Sequence, residues 1–148
     1  MAYFPDLSPY TYSSTKSSVL NIGWLSRDYP FPTGDVPPEL LPRLITYLET
    51  VVVNQYRGLQ TCHFCENGLA YRDEGPMGSA ELRVFADDGT TYAAPTLVIH
   101  YISKHRYQPP QAFIDAVLDS PLPPDKAYVK RLEAAGEPFI NWRHPRPS

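Results

Sequence analysis

The sequence predicts an α+β fold in which a small β-hairpin or sheet packs with about four helices. Two patterns favour this class. First, Glu81-Leu82-Arg83-Val84-Phe85 alternates apolar and polar residues as a half-buried strand does, and the turn sequence Asp88-Gly89 follows it. Second, apolar residues recur at helical spacing in several other segments. With 148 residues, the chain is expected to form a single domain over 1–148.

The chain before residue 38 is expected to hold one short strand between irregular segments. Residues 1–18 are rich in Tyr, Pro and Ser without a sustained period, so they predict an extended N-terminal arm. Large aromatic side chains are seldom left in water, so we expect those of the arm to dock on the domain. They are Tyr3, Phe4, Tyr10 and Tyr12. The apolar run 19–25 predicts a strand, and the prolines and glycine of 27–37 predict turns.

Residues 38–53 are predicted to form the first helix. Pro38 suits the first helical position, and Glu39 is favourable near the positive end of the helix dipole. Pro42 is tolerated only if the helix begins near residue 38 or 39, because its missing N–H then falls within the first turn. The apolar stripe predicted to face the core consists of Leu40, Leu41, Leu44, Ile45, Leu48 and Val51 or Val52.

The second half of the chain is predicted to contain the hairpin and three further helices. The hairpin pairs 81–86 with 90–94 around a two-residue Asp88-Gly89 turn. The three helices are predicted from Pro95 to near His105, at about 110–119, and at 125–135. Gly136 is expected to end the last of them. Residues 137–148 are rich in proline and are predicted to form an irregular C-terminal tail.

The two cysteines and two of the histidines have the spacing of a zinc site. Cys62 and Cys65 stand in C-x-x-C spacing before the hairpin, and His100 and His105 stand in H-x4-H spacing on the helix after it. Structural zinc is usually held by four Cys and His ligands in a tetrahedron. Five residues of a regular helix turn through about 500°, which leaves two side chains about 140° apart. We therefore predict that these four residues bind one structural Zn²⁺, with the helix distorted near His105.

Two other interpretations of the cysteine pair stay open. His63 lies between the cysteines and is the substitute ligand if His105 does not take part. Cys62-His63-Phe64-Cys65 also has thioredoxin-type redox spacing, but that motif belongs at a helix N-terminus, and no helical pattern follows here. The sequence lacks the H-x-E and H-E-x-x-H motifs of zinc deaminases and metalloproteases.

Charge and hydropathy bound the partners and the location. The net charge of −3 disfavours nucleic-acid binding as the main task. The N-terminus has no apolar run, and no window approaches about 18 apolar residues, so we expect a cytoplasmic protein without membrane contact. We predict a non-enzymatic, zinc-stabilised binding or accessory module, of the immunity type, with a protein partner. The alternative is a nucleic-acid-binding or regulatory zinc protein, and a divergent metal- or thiol-dependent enzyme ranks third.

Several stretches of the chain resemble a known family. They are 3–10, 21–25, 31–34, the Cys62/Cys65 pair, and 92–110 with its pattern His100-Tyr101-x3-His105-x-Tyr107-x-Pro109-Pro110. Over nearly its whole length, the chain resembles a family of small uncharacterised bacterial proteins. The resemblance implies a bacterial source and a single compact domain. Because that family has no assigned activity, the resemblance implies no catalytic residues.

Overall fold

The fold is described by a computed structural model over residues 3–10, 19–55, 62–65 and 80–143. Within these ranges five strands form one sheet and four helices accompany it, which confirms the predicted α+β class. The elements are β1 (Val19–Asn21), α1 (Leu40–Thr50), β2 (Val51–Val53), β3 (Glu81–Phe85), β4 (Thr91–Pro95), α2 (Val98–His105), α3 (Gln111–Asp119), α4 (Lys126–Ala134) and β5 (Ile140–Trp142). No helix in these ranges is both long and apolar enough to cross a membrane.

The sheet has the strand order β1-β4-β3-β2-β5, so the predicted hairpin supplies its middle. β1 lies parallel to β4, and all other neighbouring strands are antiparallel. The hairpin is confirmed, because β3 pairs with β4 from Glu81 opposite Pro95 to Phe85 opposite Thr91. Every residue of these two strands is buried. The hairpin is therefore part of the core rather than a half-exposed ribbon.

The hairpin turn is one residue longer than predicted. The N–H of Ala86 donates to Thr90 O at 2.8 Å and the N–H of Gly89 donates to Ala86 O at 3.1 Å, which leaves 87–89 as the loop. Gly89 has a φ of +93°, in the backbone region that favours glycine. A turn of this kind closed by a glycine of positive φ is a common three-residue hairpin loop. The predicted two-residue turn was wrong, although the glycine was correctly placed within it.

The first helix is shorter than predicted. α1 ends at Thr50, and Val51–Val53 form β2 instead of a last helical turn. Valine is β-branched and suits a strand, and all three valines are buried between β3 and β5. Pro42 is the third residue of α1, so its missing N–H does fall within the first turn.

The apolar stripe of α1 differs from the predicted one by one position. Leu40, Leu44 and Leu48 are buried, but Ile45 is 37% exposed. Tyr47 is fully buried in its place. It lies seven residues after Leu40 and three after Leu44, so helical periodicity puts it on the same face.

Pro95 and the C-terminal tail also depart from the prediction. Pro95 is the last residue of β4, not the first of a helix, and α2 begins only at Val98. Within the predicted irregular tail, Ile140–Trp142 form β5, antiparallel to β2. A three-residue strand has little stability of its own, so it forms because β2 offers it an edge. The bounds of α3 and α4 agree with the prediction to within one residue.

The helices pack on the sheet and on each other, and α2 is largely buried among them. Tyr92 of β4 meets Phe113 of α3 with ring centroids 5.7 Å apart, and Leu82 and Val84 of β3 are fully buried in the same core. α1 packs against both α2 and α3. The first five residues of α2, 98–102, are all buried. The helix that carries both candidate histidine ligands is thus an interior element.

The described part of the N-terminal arm docks on the domain as expected. Tyr10 is buried, and Phe4 packs edge-on against Trp24 with ring centroids 5.5 Å apart. Tyr3 stacks on a neighbouring tyrosine at 4.0 Å. Tyr12, the fourth aromatic residue of the arm, lies outside the described residues.

An acidic residue of the arm fastens it beside the end of α2. Asp6 accepts hydrogen bonds from the hydroxyl of Tyr107 at 2.7 Å and from the backbone N–H of Gly23 at 2.9 Å. Burial, together with the Asp6 carboxylate, raises the pKa of Tyr107 well above its ordinary value, so the hydroxyl keeps the proton that it donates. The arm is therefore held by directional bonds as well as by ring packing.

Arg83 is the largest fully buried side chain among the described residues. Its Nη2 lies 2.9 Å from Glu81 Oε1 and its Nε lies 2.8 Å from Glu137 Oε2, and all three side chains are buried. Tyr10 donates its hydroxyl proton to Glu81 Oε1 at 2.8 Å, and Asn54 Nδ2 reaches the same oxygen at 3.3 Å. This network joins the arm, the end of β2 and the start of the tail to the central strand.

Candidate metal centre

The cysteine pair forms a tight turn that presents both sulfurs to one side. The backbone N–H of Cys65 donates to Cys62 O at 3.4 Å, and the N–H of Phe64 points at Cys62 Sγ at 3.4 Å. Cys62 is 1% exposed, whereas Cys65 is half-buried. We call residues 62–65 the knuckle. N–H groups aimed at a sulfur stabilise negative charge on it, which favours the thiolate that a metal ligand must be.

The two histidines stand at opposite ends of α2. His100 lies in its first turn and is 1% exposed, and His105 is the last helical residue. The N–H of Arg106, which has a φ of +56°, donates to Tyr101 O, five residues back instead of the four of a regular α-helix. The helix therefore departs from regular geometry at its C-terminal end, next to His105, and the rings of His100 and His105 lie 5.0 Å apart between centroids.

The four side chains meet at one point. Cys65 Sγ lies 3.1 Å from His100 Nε2 and 3.6 Å from His105 Nε2, and Cys62 Sγ lies 3.3 Å from His105 Nε2. All four ligand atoms lie within 4.8 Å of one another. A tetrahedral site with Zn–S near 2.3 Å and Zn–N near 2.0–2.1 Å separates sulfur from nitrogen by about 3.6 Å. The cluster therefore has the donor set and the size of a four-coordinate metal site, and it can hold a metal ion.

His63 is not part of the cluster. The side chains that converge are those of Cys62, Cys65, His100 and His105. The backbone carbonyl of His63 accepts a hydrogen bond from the Arg27 side chain. His105 thus occupies the fourth position for which His63 was the substitute.

The electrostatics of the knuckle do not suit the redox interpretation. Burial raises the pKa of the Cys62 thiol to about 11, although nearby backbone N–H groups lower it in part. A reactive dithiol needs the opposite shift, which a helix N-terminus supplies. Within the described residues 62–65, the knuckle is a turn. A cation is the partner that makes a buried thiolate favourable here.

An aromatic residue inside the cysteine motif anchors the knuckle to the core. The ring of Phe64 lies 5.2 Å from that of Phe31, 5.8 Å from that of Tyr101 and 5.4 Å from that of His105, measured between centroids. No role for Phe64 is predicted from the sequence. Its position between two cysteines was the available signal, because a large apolar residue in a short polar turn needs a core to pack against.

Comparison with known proteins places the chain in a family. Residues 2–118 match a family described as a domain of unknown function, DUF7919. The chain belongs to the DUF7919 family. The DUF7919 match includes all four residues of the cluster and ends in α3, so α4 and β5 lie beyond it. Searches of curated proteins and of solved structures gave no match.

Proposed function

We propose that Cys62, Cys65, His100 and His105 bind one Zn²⁺ and that this ion is structural. The convergence of four ligand atoms within 4.8 Å supports the proposal. Zinc accepts mixed thiolate and imidazole ligands in a tetrahedron, and four protein ligands complete its structural coordination. A catalytic zinc site keeps one position open for water or substrate. A site closed by two cysteines and two histidines therefore favours a non-enzymatic protein over a divergent metal-dependent enzyme.

The role of the ion follows from what it would connect. The knuckle belongs to the long connection between β2 and β3, and α2 belongs to the core. In the described residues, the knuckle is held to α2 by Phe64 and by the four clustered ligands. The proposed ion fastens this connection over His100, a buried polar residue of the interior helix. Its binding energy becomes folding energy, because the unfolded chain does not hold these ligands together.

The biological role that we propose is a binding or accessory module for another protein, of the immunity type. The net charge of −3 supports a protein partner over nucleic acid. The cations beside the centre are also balanced in part. Arg106 Nη2 lies 3.0 Å from Asp35 Oδ1. Exposed pairs of this kind weaken the local positive field.

Nucleic-acid binding is the second candidate, and one observation favours it. Three exposed cations lie near the knuckle. The side chain of Arg27 donates to His63 O, and Lys104 and Arg106 stand at the C-terminal end of α2. If they contact phosphates, the logarithm of the binding constant for a labelled oligonucleotide should fall linearly with the logarithm of the salt concentration. Replacing all three by alanine should then flatten the slope. A lack of binding at low salt would leave the protein partner as the remaining candidate.

The metal proposal is tested by elemental analysis of purified protein and of two matched variants. We expect about one zinc per chain in the wild type. His105→Ala should reduce the zinc content strongly, whereas His63→Ala should leave it unchanged, because His63 lies in the same knuckle but outside the cluster. Zinc lost equally from both variants, or a metal-free wild type that takes up no added zinc, would contradict the assignment.

A further inference from the structure

Within the described residues, one edge of the sheet is covered by another segment and the other edge is open. The edge at β1 is covered by the N-terminal arm, where the N–H of Tyr10 donates to Val19 O and the N–H of Asn21 donates to Ser8 O, each at 2.8 Å. At the other edge, no segment of the described chain pairs with the outer side of β5. An unpaired strand edge is a template for another strand. β5 is therefore the place where the sheet can be extended.

The backbone of β5 presents a defined set of groups outward. Two bonds flank the pairing of β2 with β5: the N–H of Asn54 donates to Phe139 O at 2.9 Å, and the N–H of Arg143 donates to Thr50 O at 2.8 Å. Positions 139, 141 and 143 therefore turn their backbone groups toward the β2 side. Alternation along a strand turns the N–H and C=O groups of Ile140 and Trp142 the other way. The preceding even position is Pro138, which has no N–H to leave unpaired.

Large apolar side chains flank the exposed Asn141 at this edge. Phe139 is 70% exposed, the highest value among the exposed large apolar residues of the described chain. Ile140 and Trp142 are half-buried at the rim of the main core. An exposed phenylalanine beside an open strand edge is a combination that soluble proteins usually avoid or use for strand addition.

We propose that β5 joins two copies of this chain into a dimer with a continuous ten-stranded sheet, two sheets of five strands. Antiparallel pairing about a two-fold axis at Asn141 sets Ile140 opposite Trp142 of the second copy, and both residues have outward backbone groups. Each such pair forms two backbone hydrogen bonds, and the symmetry repeats it. The dimer does not depend on the proposed zinc function, because β5 contributes no residue to the metal cluster.

The register explains why the occupant is a second copy. With Asn141 on the axis, Phe139 lies opposite Arg143 of the second copy, which is a favourable cation and aromatic pair, and no like charges face each other. If the axis passed through Ile140 instead, Phe139 would lie opposite Asn141 and Trp142 would lie opposite Pro138. The strand is thus complementary to itself in one register, as a two-fold interface requires.

The test uses the full, metal-loaded chain in sedimentation equilibrium over a range of concentrations, with matched substitutions at the edge. Phe139→Lys opposes Arg143 with a like charge and should weaken dimerisation at least about tenfold. Phe139→Glu opposes it with an unlike charge and should weaken it much less. Ile45→Lys changes another exposed apolar residue, on α1, and should have no effect. A wild type that stays monomeric, or a dimer indifferent to both Phe139 substitutions, would overturn the proposal.

Amide exchange on the unmodified protein provides the second measurement. The N–H groups of Ile140 and Trp142 should gain protection as the protein concentration rises, because the dimer gives them acceptors that no described segment of the single chain supplies. The N–H group of Arg143 already donates to Thr50 O, the residue before β2, and serves as the internal control. Concentration-independent exchange at Ile140 and Trp142 would reject the edge-to-edge contact even if the protein dimerises elsewhere.

Discussion

Gly23 is fixed by two constraints that act on a single residue. Its φ is +75°, and a Cβ built there would lie 2.7 Å from Cγ2 of Val98 at the start of α2. The first constraint disfavours any side chain by backbone strain, and the second by overlap with the core. Gly136 shares the first constraint alone, with a φ of +71° and no atom within 4 Å of a built Cβ.

Substituting these two glycines should separate strain from overlap. Gly136→Ala is expected to lower the free energy of unfolding by about 1–2 kcal/mol, the cost of a left-handed alanine. Gly23→Ala is expected to lower it by roughly 2–5 kcal/mol, because crowding of Val98 adds to the same strain. Urea denaturation of both variants provides the measurement. Equal losses would mean that the core yields to the added methyl group at no cost.

Arg83 is a buried cation whose contribution to stability depends on two neighbouring carboxylates. Its positive charge lies between the buried carboxylates of Glu81 and Glu137. Burial alone would lower the pKa of an arginine, but these two carboxylates outweigh burial and raise it, so the guanidinium stays charged. Removal of Arg83 would leave two buried negative charges without a cation.

Arg83→Met is therefore expected to cost about 3–5 kcal/mol of stability, more than the loss of packing explains. The triple variant Glu81→Gln, Arg83→Met, Glu137→Gln removes the charges together and should recover part of this loss. Chemical denaturation at neutral pH compares the two. If the triple variant is less stable than the single one, hydrogen bonding and not charge balance is the main contribution of the network.

The backbone of α2 departs from regular helical geometry at its C-terminal end. Its widened last turn closes on Arg106, which adopts a φ of +56° that costs a non-glycine residue about 1 kcal/mol or more. Among the described residues the side chain of Arg106 forms an ion pair with Asp35, and both side chains are largely exposed. An exposed ion pair contributes little to stability, so the pair with Asp35 offsets only a small part of the backbone strain at Arg106.

Arg106→Gly should consequently raise the free energy of unfolding by about 0.5–1 kcal/mol relative to Arg106→Ala. Both variants lose the contact with Asp35, so the difference isolates the backbone conformation. Thermal melting of the two proteins at equal zinc content provides the comparison. A lower melting temperature for Arg106→Gly would show that the left-handed residue is not strained.

The elements also differ in how far the sequence specified them. α3 and α4 repeat apolar residues over two or more turns, so their periodicity survives in the sequence alone, and their bounds were predicted to within one residue. β2 and β5 are three residues each and pair with each other. Val51–Val53 continue the apolar run of α1, and although their β-branched side chains favour a strand, that preference does not mark the residue where the helix ends. Only the presence of β3 and β5 beside them decides it.

Metal removal is the prediction that concerns the whole molecule. A strong chelator should lower the melting temperature on the order of 10 °C, or about 3–5 kcal/mol for a chain of this size. The core of the sheet and helices is large enough that partial folding should persist without the ion. Cys65→Ser should resemble the chelated wild type, and His63→Ala should melt like the untreated wild type. Unchanged melting in protein shown to have contained zinc would mean that the ion is not structural.

The sequence was sufficient to predict the fold class, the central hairpin, the presence of four helices and the four residues of the cluster, with His63 left as the substitute for His105. Each of these depends on local patterns: alternation, helical period, or the spacing within Cys62/Cys65 and within His100/His105. These patterns involve only residues that are close together in the sequence, so they can be recognised without knowledge of the tertiary structure.

The tertiary structure decided what those patterns left open. In the assembled fold His105, and not His63, is the fourth residue of the cluster. The helix ends directly after His105, at Arg106 in a left-handed conformation. The tertiary structure made a strand of Ile140–Trp142 by offering the edge of β2, and it placed Arg83 between two carboxylates from distant segments. These outcomes depend on which remote groups meet in space. Long-range contacts leave no periodic trace in a single sequence, so only the assembled fold determines them.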